Sequence, residues 1–222
     1  MSEGSSPAAV YDAYLDAVLR GDRHGAFAGV EAAQAAGMAL GTLYMDVFQA
    51  TLREVGRLWQ EDALSVADEH LATAITQAAM ARAYAAAQDD VGPSSRTLIA
   101  ACVDTERHEV GLRMICDLLE CEGWDALYLG AAVSRESLAA LVRERRPDAI
   151  ALSTALAGNL PRVRATVESI RVACPDDPPL ILVGGRPFIA DPELAAEVGA
   201  DLTAADAPGA VQLLRARFPR PA

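Results

Sequence analysis

Thr97-Leu98-Ile99-Ala100-Ala101-Cys102-Val103, running directly into Asp104-Thr105-Glu106-Arg107-His108-Glu109-Val110-Gly111, decides the fold. The first seven residues form a short, almost wholly apolar run, the pattern of a strand buried on both faces in a parallel sheet. A brief polar loop with a lone histidine follows, and then a helix pattern begins. That is where a parallel-sheet protein presents a metal or cofactor ligand, beyond the carboxyl end of a strand.

The same pattern continues downstream. Ala126–Leu129, Ala149–Ser153, Leu180–Val183 and a weaker Asp201–Thr203 read as strands alternating with amphipathic helices, which predicts a parallel sheet covered by helices on both faces. Upstream, to about Ala87, apolar residues recur at helical spacing: Val10, Tyr14 and Val18; Met45, Phe48, Leu52 and Val55; Leu71, Ile75 and Ala79. Helices are predicted over 7–20, 23–37, 39–58 and 63–87, punctuated by Gly21-Asp22, Gly37 and Glu61-Asp62. Gly92, Pro93, Ser94 and Ser95 mark a linker. The expected chain is α/β, with a four-helix bundle cap at 1–89, a linker at 90–96 and a flavodoxin/Rossmann-like five-stranded parallel sheet domain at 97–222.

Composition narrows the function classes. Thirty-one acidic against 19 basic residues give a net charge of −12, which repels nucleic-acid phosphates and anionic membrane surfaces. Cys102, Cys116, Cys121 and Cys174 form no C-x-x-C pair and are too sparse for a disulfide scaffold. Met1 to Pro7 lacks a basic and apolar leader pattern, and no apolar run is long enough to span a bilayer. A cytoplasmic protein is expected. No G-x-G-x-x-G or P-loop occurs, and no nucleophile and base pair up by sequence. Arg143, Glu144, Arg145 and Arg146 close a predicted helix, where positive charge suits the dipole.

Two more segments fall at strand ends on the His108 edge: Ser153-Thr154 after the third strand and Gly184-Gly185 after the fourth. Singly, each has an ordinary reading. Ser153 can cap a helix, the glycines can form a tight turn before Pro187, and a loop histidine is more often solvated than a ligand. Three such segments on one edge of one sheet is an arrangement that a purely structural reading does not require.

In that order, the three segments resemble the cobalamin-binding domain of corrinoid methyltransferases, mutases and cobalamin photoreceptors. In that family a D-x-H-x-x-G loop supplies histidine as the lower cobalt ligand, displacing the cofactor's own base into a slot of the domain. Here the loop reads Glu106-Arg107-His108-Glu109-Val110-Gly111, with glutamate where aspartate is commoner. The resemblance makes His108 the cobalt ligand and Glu106 the acceptor for its other ring nitrogen. Gly111 lets backbone lie close to a flat ring, and a serine and the glycine pair hold the buried tail. The usual S-x-L is displaced here: Leu156 stands one place late, and either Ser153 or Thr154 can make the tail bond.

In the N-terminal half, Trp59 is followed after nine residues by Glu69-His70. This W-x9-E-H spacing is similar to the helical cap of CarH-type cobalamin photoreceptors, where tryptophan packs over the upper adenosyl group beside the Glu-His pair. An indole offers a broad apolar face to a nucleoside, and a carboxylate accepts from ribose hydroxyls. Two departures stand out. Gln60 occupies the position where CarH has a histidine that captures cobalt after light, and the winged-helix DNA-binding module that precedes the cap in CarH-like regulators has no counterpart ahead of the first helix. His24 lies near the turn between the first two helices.

The resemblance therefore implies a stand-alone photoreceptor holding adenosylcobalamin base-off and His-on, with light changing its association with itself or with a signalling partner. Methylcobalamin or hydroxocobalamin are other forms to consider, and a bilin as second chromophore is an extension. Direct nucleic-acid or membrane binding is not expected, and neither is conventional enzyme activity. The alternative is a corrinoid carrier subunit of a methyltransferase.

Overall fold

The computed structural model describes residues 6–88 and 95–219; residues 1–5, 89–94 and 220–222, and with them most of the expected linker, lie outside the described residues. The chain divides into two compact units, Met1–Asp89 and Asp90–Ala222.

The first unit is helical: α1 (Pro7–Leu19), α2 (Arg23–Ala35), then α3 (Leu40–Thr42), a π-helical stretch Leu43–Gln49 and α4 (Ala50–Gln60) in unbroken succession, and finally α5 (Val66–Ala87). Side-chain caps start these helices where orphan amides need acceptors. Ser6 accepts from Ala9 N at 3.3 Å and Asp22 from Gly25 N at 2.9 Å, while Ser65 and Asp68 form a capping box at the head of α5. The π stretch buries Leu43, Tyr44, Val47 and Phe48, and Tyr14 packs on Phe48 with ring centroids 5.1 Å apart. Tyr14 Oη donates to Thr76 Oγ1 at 3.3 Å, tying α1 to α5.

The second unit is a five-stranded parallel sheet, β1 (Thr97–Val103), β2 (Asp125–Val133), β3 (Ala149–Ser153), β4 (Leu180–Gly184) and β5 (Leu202–Thr203), in the order β2-β1-β3-β4-β5. Between them run α6 (Val110–Glu120), α7 (Arg135–Arg145), α8 (Leu160–Ala173) and the short α9 (Arg186–Ala190) and α10 (Leu194–Glu197), with α11 (Ala207–Arg217) closing the unit. Alternation along β1 feeds two cores. Leu98, Ala100 and Cys102 pack with Leu112, Cys116 and Leu119 of α6 and with Val211 and Leu214 of α11. Ile99, Ala101 and Val103 pack with Leu138 and Val142 of α7 and with Val163 and Val167 of α8. The unbroken apolar run of β1 thus reports burial on both faces.

The second strand is longer than its sequence suggests. Ala100 pairs with Tyr128, but Ala101 pairs with Gly130, and Gly130 and Ala132 take φ of 76° and 53°. These irregularities lie beyond Leu129, where the expected strand ended, and β2 continues through them to Val133. Among the described residues, no helix is long and apolar enough to cross a membrane.

Candidate functional site

Strand order reverses at β1, which lies between β2 and β3, so the carboxyl edge beside β1 and β3 is where an open parallel sheet places a ligand site. In register, Cys102 sits beside Ser153, and Ser153 beside Gly184. The three segments singled out from sequence therefore lie in one row.

The loop after β1 turns sharply. Thr105 has φ 69°, Glu106 N donates to Val103 O at 2.9 Å, and Ala132 N donates to Glu106 O at 2.9 Å, pinning the loop to the end of β2. This turn aims the Glu106 side chain inward, where it is fully buried. Its Oε1 accepts from Arg107 N at 2.9 Å, His108 N at 3.0 Å and His108 Nδ1 at 2.5 Å. Its Oε2 accepts from Thr154 Oγ1 at 2.7 Å, Ala155 N at 2.8 Å and Asn159 Nδ2 at 3.2 Å. Burial alone pushes the carboxyl upward, but the hydrogen bonds from His108 N, Thr154, the His108 ring and Ala155 N outweigh it and hold Glu106 at about 2. The group is a fixed anion.

That anion sets the chemistry of His108. Holding the proton on Nδ1 leaves Nε2 with its lone pair, the tautomer a metal ligand needs, and the imidazole is 63% exposed. The loop backbone is steadied by Cys102 Sγ donating to His108 O at 3.6 Å. Among the described residues, no group of three or more His, Cys, Asp or Glu is placed to hold an ion. One oriented imidazole with a free face instead suits a metal whose equatorial positions are filled by a macrocycle. Space agrees: a Cβ on Gly111 or Gly184 would meet nothing within 4 Å.

Ser153 and Thr154 differ in their surroundings at the end of β3. Thr154 is buried, and its hydroxyl donates to Glu106 Oε2 and also bonds with the Leu156 backbone. Ser153 is half-buried, and its hydroxyl has no partner among the described residues. Gly185 has a backbone reason of its own: with φ 107°, a Cβ there would lie 1.9 Å from Thr154 O, so only glycine fits. Arg107 is exposed beside the histidine. Leu156, 52% exposed, lies just beyond β3. Sequence reading missed Asn159, which sits in the 3₁₀ turn Ala157–Asn159 and is buried. A lone asparagine before Leu160-Pro161 looks like a helix start, and only its burial reveals the bond to Glu106.

In the helical unit, Trp59 is 44% exposed near the end of α4, whereas Tyr14, Phe27, Tyr44 and Phe48 are buried. It is not bundle core. His70 repeats the device of His108: its Nδ1 lies 2.6 Å from Glu69 Oε2, and Thr73 Oγ1 donates to Glu69 Oε1 at 3.0 Å, while the imidazole is 74% exposed. Gln60 is exposed, and so is His24.

Both units of the chain match known protein families. Residues 96–214 match the B12 binding domain family, and residues 10–84 match a second family of the same description. The chain is 32% identical over 140 residues to the HTH-type transcriptional repressor CarH of Myxococcus xanthus, covering 63% of this chain and 46% of that protein. It is 31% identical over 122 residues to the repressor CarA of the same organism, covering 55% and 41%. The chain thus spans less than half the length of these curated relatives. The Methanosarcina barkeri monomethylamine corrinoid protein superposes with a TM-score of 0.81 at 16% identity, over 94% of this chain and 98% of that one, a likeness of fold.

Proposed function

The chain belongs to the family of B12 binding domains, and on that premise we propose that it acts as a cobalamin photoreceptor holding adenosylcobalamin base-off with His108 as the lower cobalt ligand. The observation that carries this reading is the 2.5 Å contact between His108 Nδ1 and Glu106 Oε1, which leaves an exposed Nε2 with its lone pair. Glu106, anchored by Thr154, Ala155 N and Asn159, accepts from Nδ1 and so fixes the orientation of the ring with Nε2 outward. Ser153 hydrogen-bonds the displaced tail, Gly111 and Gly184 leave it room, and Arg107 flanks the ring.

Trp59 offers its exposed indole face to the nucleoside, with Glu69 accepting from ribose and His70 beside it. The bound cofactor supplies a cobalt–carbon bond that visible light breaks. The chain supplies the response, a changed association with a second copy or with a signalling protein. Assignment to a photoreceptor is supported by Trp59, Glu69 and His70 keeping surface to offer a ligand, as the W-x9-E-H spacing requires. A bilin would be an additional chromophore, visible as a separate absorption band.

A second reading is favoured by Gln60, which gives no imidazole to cobalt after an upper group departs: a corrinoid carrier for a methyltransferase. One experiment separates the two. The full chain is loaded with adenosyl-, methyl- or hydroxocobalamin in darkness, and its spectrum and elution volume are followed under green light. A photoreceptor changes both with adenosylcobalamin, and a spectrum and elution volume unaltered by light sink the proposal.

A further inference from the structure

The edge of the sheet opposite His108, where the strands begin, holds a cleft of about 470 Å³ lined by Arg146, Arg171, Arg217, Asp148, Asp201 and Phe218. Its carboxylates are committed. Asp148 accepts from Thr97 N at 2.8 Å and Arg96 Nη1 at 2.7 Å, fixing the start of β1. Asp201 accepts from Ile181 N at 2.6 Å and Arg171 Nη2 at 2.7 Å, fixing the start of β4, and Arg171 Nη1 donates to Pro179 O at 3.1 Å. Arg146 and Arg217 have neither an ion pair nor a hydrogen-bonding partner for their side chains among the described residues. With the two internal pairs set aside, two guanidinium groups face one remaining carboxylate, Asp177, on a chain whose net charge is −12.

Arg146 carries a second oddity. It ends α7 in the left-handed region, φ 47° and ψ 59°, a position that glycine or asparagine fills at lower cost because a β-carbon crowds the backbone there. Strain retained in a cleft-lining cation points to a use for its side chain.

We propose that this cleft is an oxyanion site, in which Arg146 and Arg217 take a carboxylate or phosphate group through paired N–H donors and Phe218 borders its apolar body. The site is independent of the corrinoid reading, since it lies at the other ends of the strands.

Thermal unfolding of the full chain tests it, with sodium phosphate and sodium benzoate each compared against sodium chloride at matched ionic strength. At roughly tenfold excess over its dissociation constant, the preferred anion raises Tm by about 3–6 °C. A larger shift with phosphate assigns a phosphate ligand, and a larger shift with benzoate assigns a carboxylate. Arg146→Gly raises the anion-free Tm, because glycine relieves the left-handed strain, and it abolishes the anion response; Arg217→Ala abolishes the response independently. A response equal to that of chloride, or one that survives in both variants, overturns the proposal.

Discussion

Thr154 Oγ1 donates to Glu106 Oε2 at 2.7 Å across 48 residues of sequence, so the loop that follows β1 is fastened to the end of β3 through a carboxylate whose other oxygen holds His108. Fold and imidazole orientation meet in this one contact.

Removal of that carboxylate is costly. Glu106→Ala orphans the buried Asn159 amide and three backbone N–H groups and leaves the Thr154 hydroxyl only its longer bonds with Leu156, and urea unfolding of the cofactor-free chain should show a loss of about 2–4 kcal/mol. Thr154→Val deletes one donor and should cost about 1–2 kcal/mol, whereas Thr154→Ser keeps it. Equal stability of Glu106→Ala and the parent chain would mean that the hub does not form.

The glycine pair should split by readout. Gly185→Ala forces a Cβ to 1.9 Å from Thr154 O at φ 107°, so the apoprotein should be destabilised by about 3 kcal/mol or more, or fail to accumulate. Gly184→Ala meets open space and should leave the unfolding midpoint unchanged. On the proposed tail slot it weakens cobalamin binding, read by spectral titration.

The four thiols should fall into two classes. Burial, and then the charges of Glu106 and Glu109, push Cys102 up to about 12, and burial raises Cys116 as well. A raised pKa keeps the thiol protonated through neutral and mildly alkaline solution, and the thiolate is the nucleophile. With a disulfide reagent at pH 8, two cysteines, Cys121 and Cys174, should react in the native state, and Cys102 and Cys116 only on unfolding. Four equal rates would contradict this burial.

The two tryptophans should also differ. Trp59 is exposed, while Trp124 is buried edge-on against Phe218 with ring centroids 5.6 Å apart. Acrylamide should quench one population in the parent chain and almost none in Trp59→Phe. Trp59→Ala should change unfolding free energy by less than about 1 kcal/mol. On the proposed upper-face role it should weaken adenosylcobalamin more than hydroxocobalamin.

Much of this was legible in the residues. β1, β3 and β4 announce themselves as short apolar runs because burial on both faces leaves no polar alternation to blur them, and caps such as Ser6, Asp22 and Ser65 mark helix starts. β2 reads short because the apolar run ends at Leu129, and only pairing with β1 shows the strand continuing to Val133. At the site, His108 and its carboxylate two residues earlier were visible as a local spacing. Asn159 and the division of labour between Ser153 and Thr154 were not, because they depend on which hydroxyl a buried anion 48 residues away captures. The π stretch Leu43–Gln49 was equally hidden, since its apolar residues fit an ordinary helical period well enough.

That stretch acts on the angular phase of everything after it. Each extra residue taken into a wider turn rotates the following helix by about 100° against an unperturbed α-helix, so Leu43–Gln49 sets the azimuth at which Trp59 emerges from α4. Rewinding the segment to ordinary α-helix at unchanged length would steer the indole towards a different side, whereas deleting the absorbed residue would leave its aim in place.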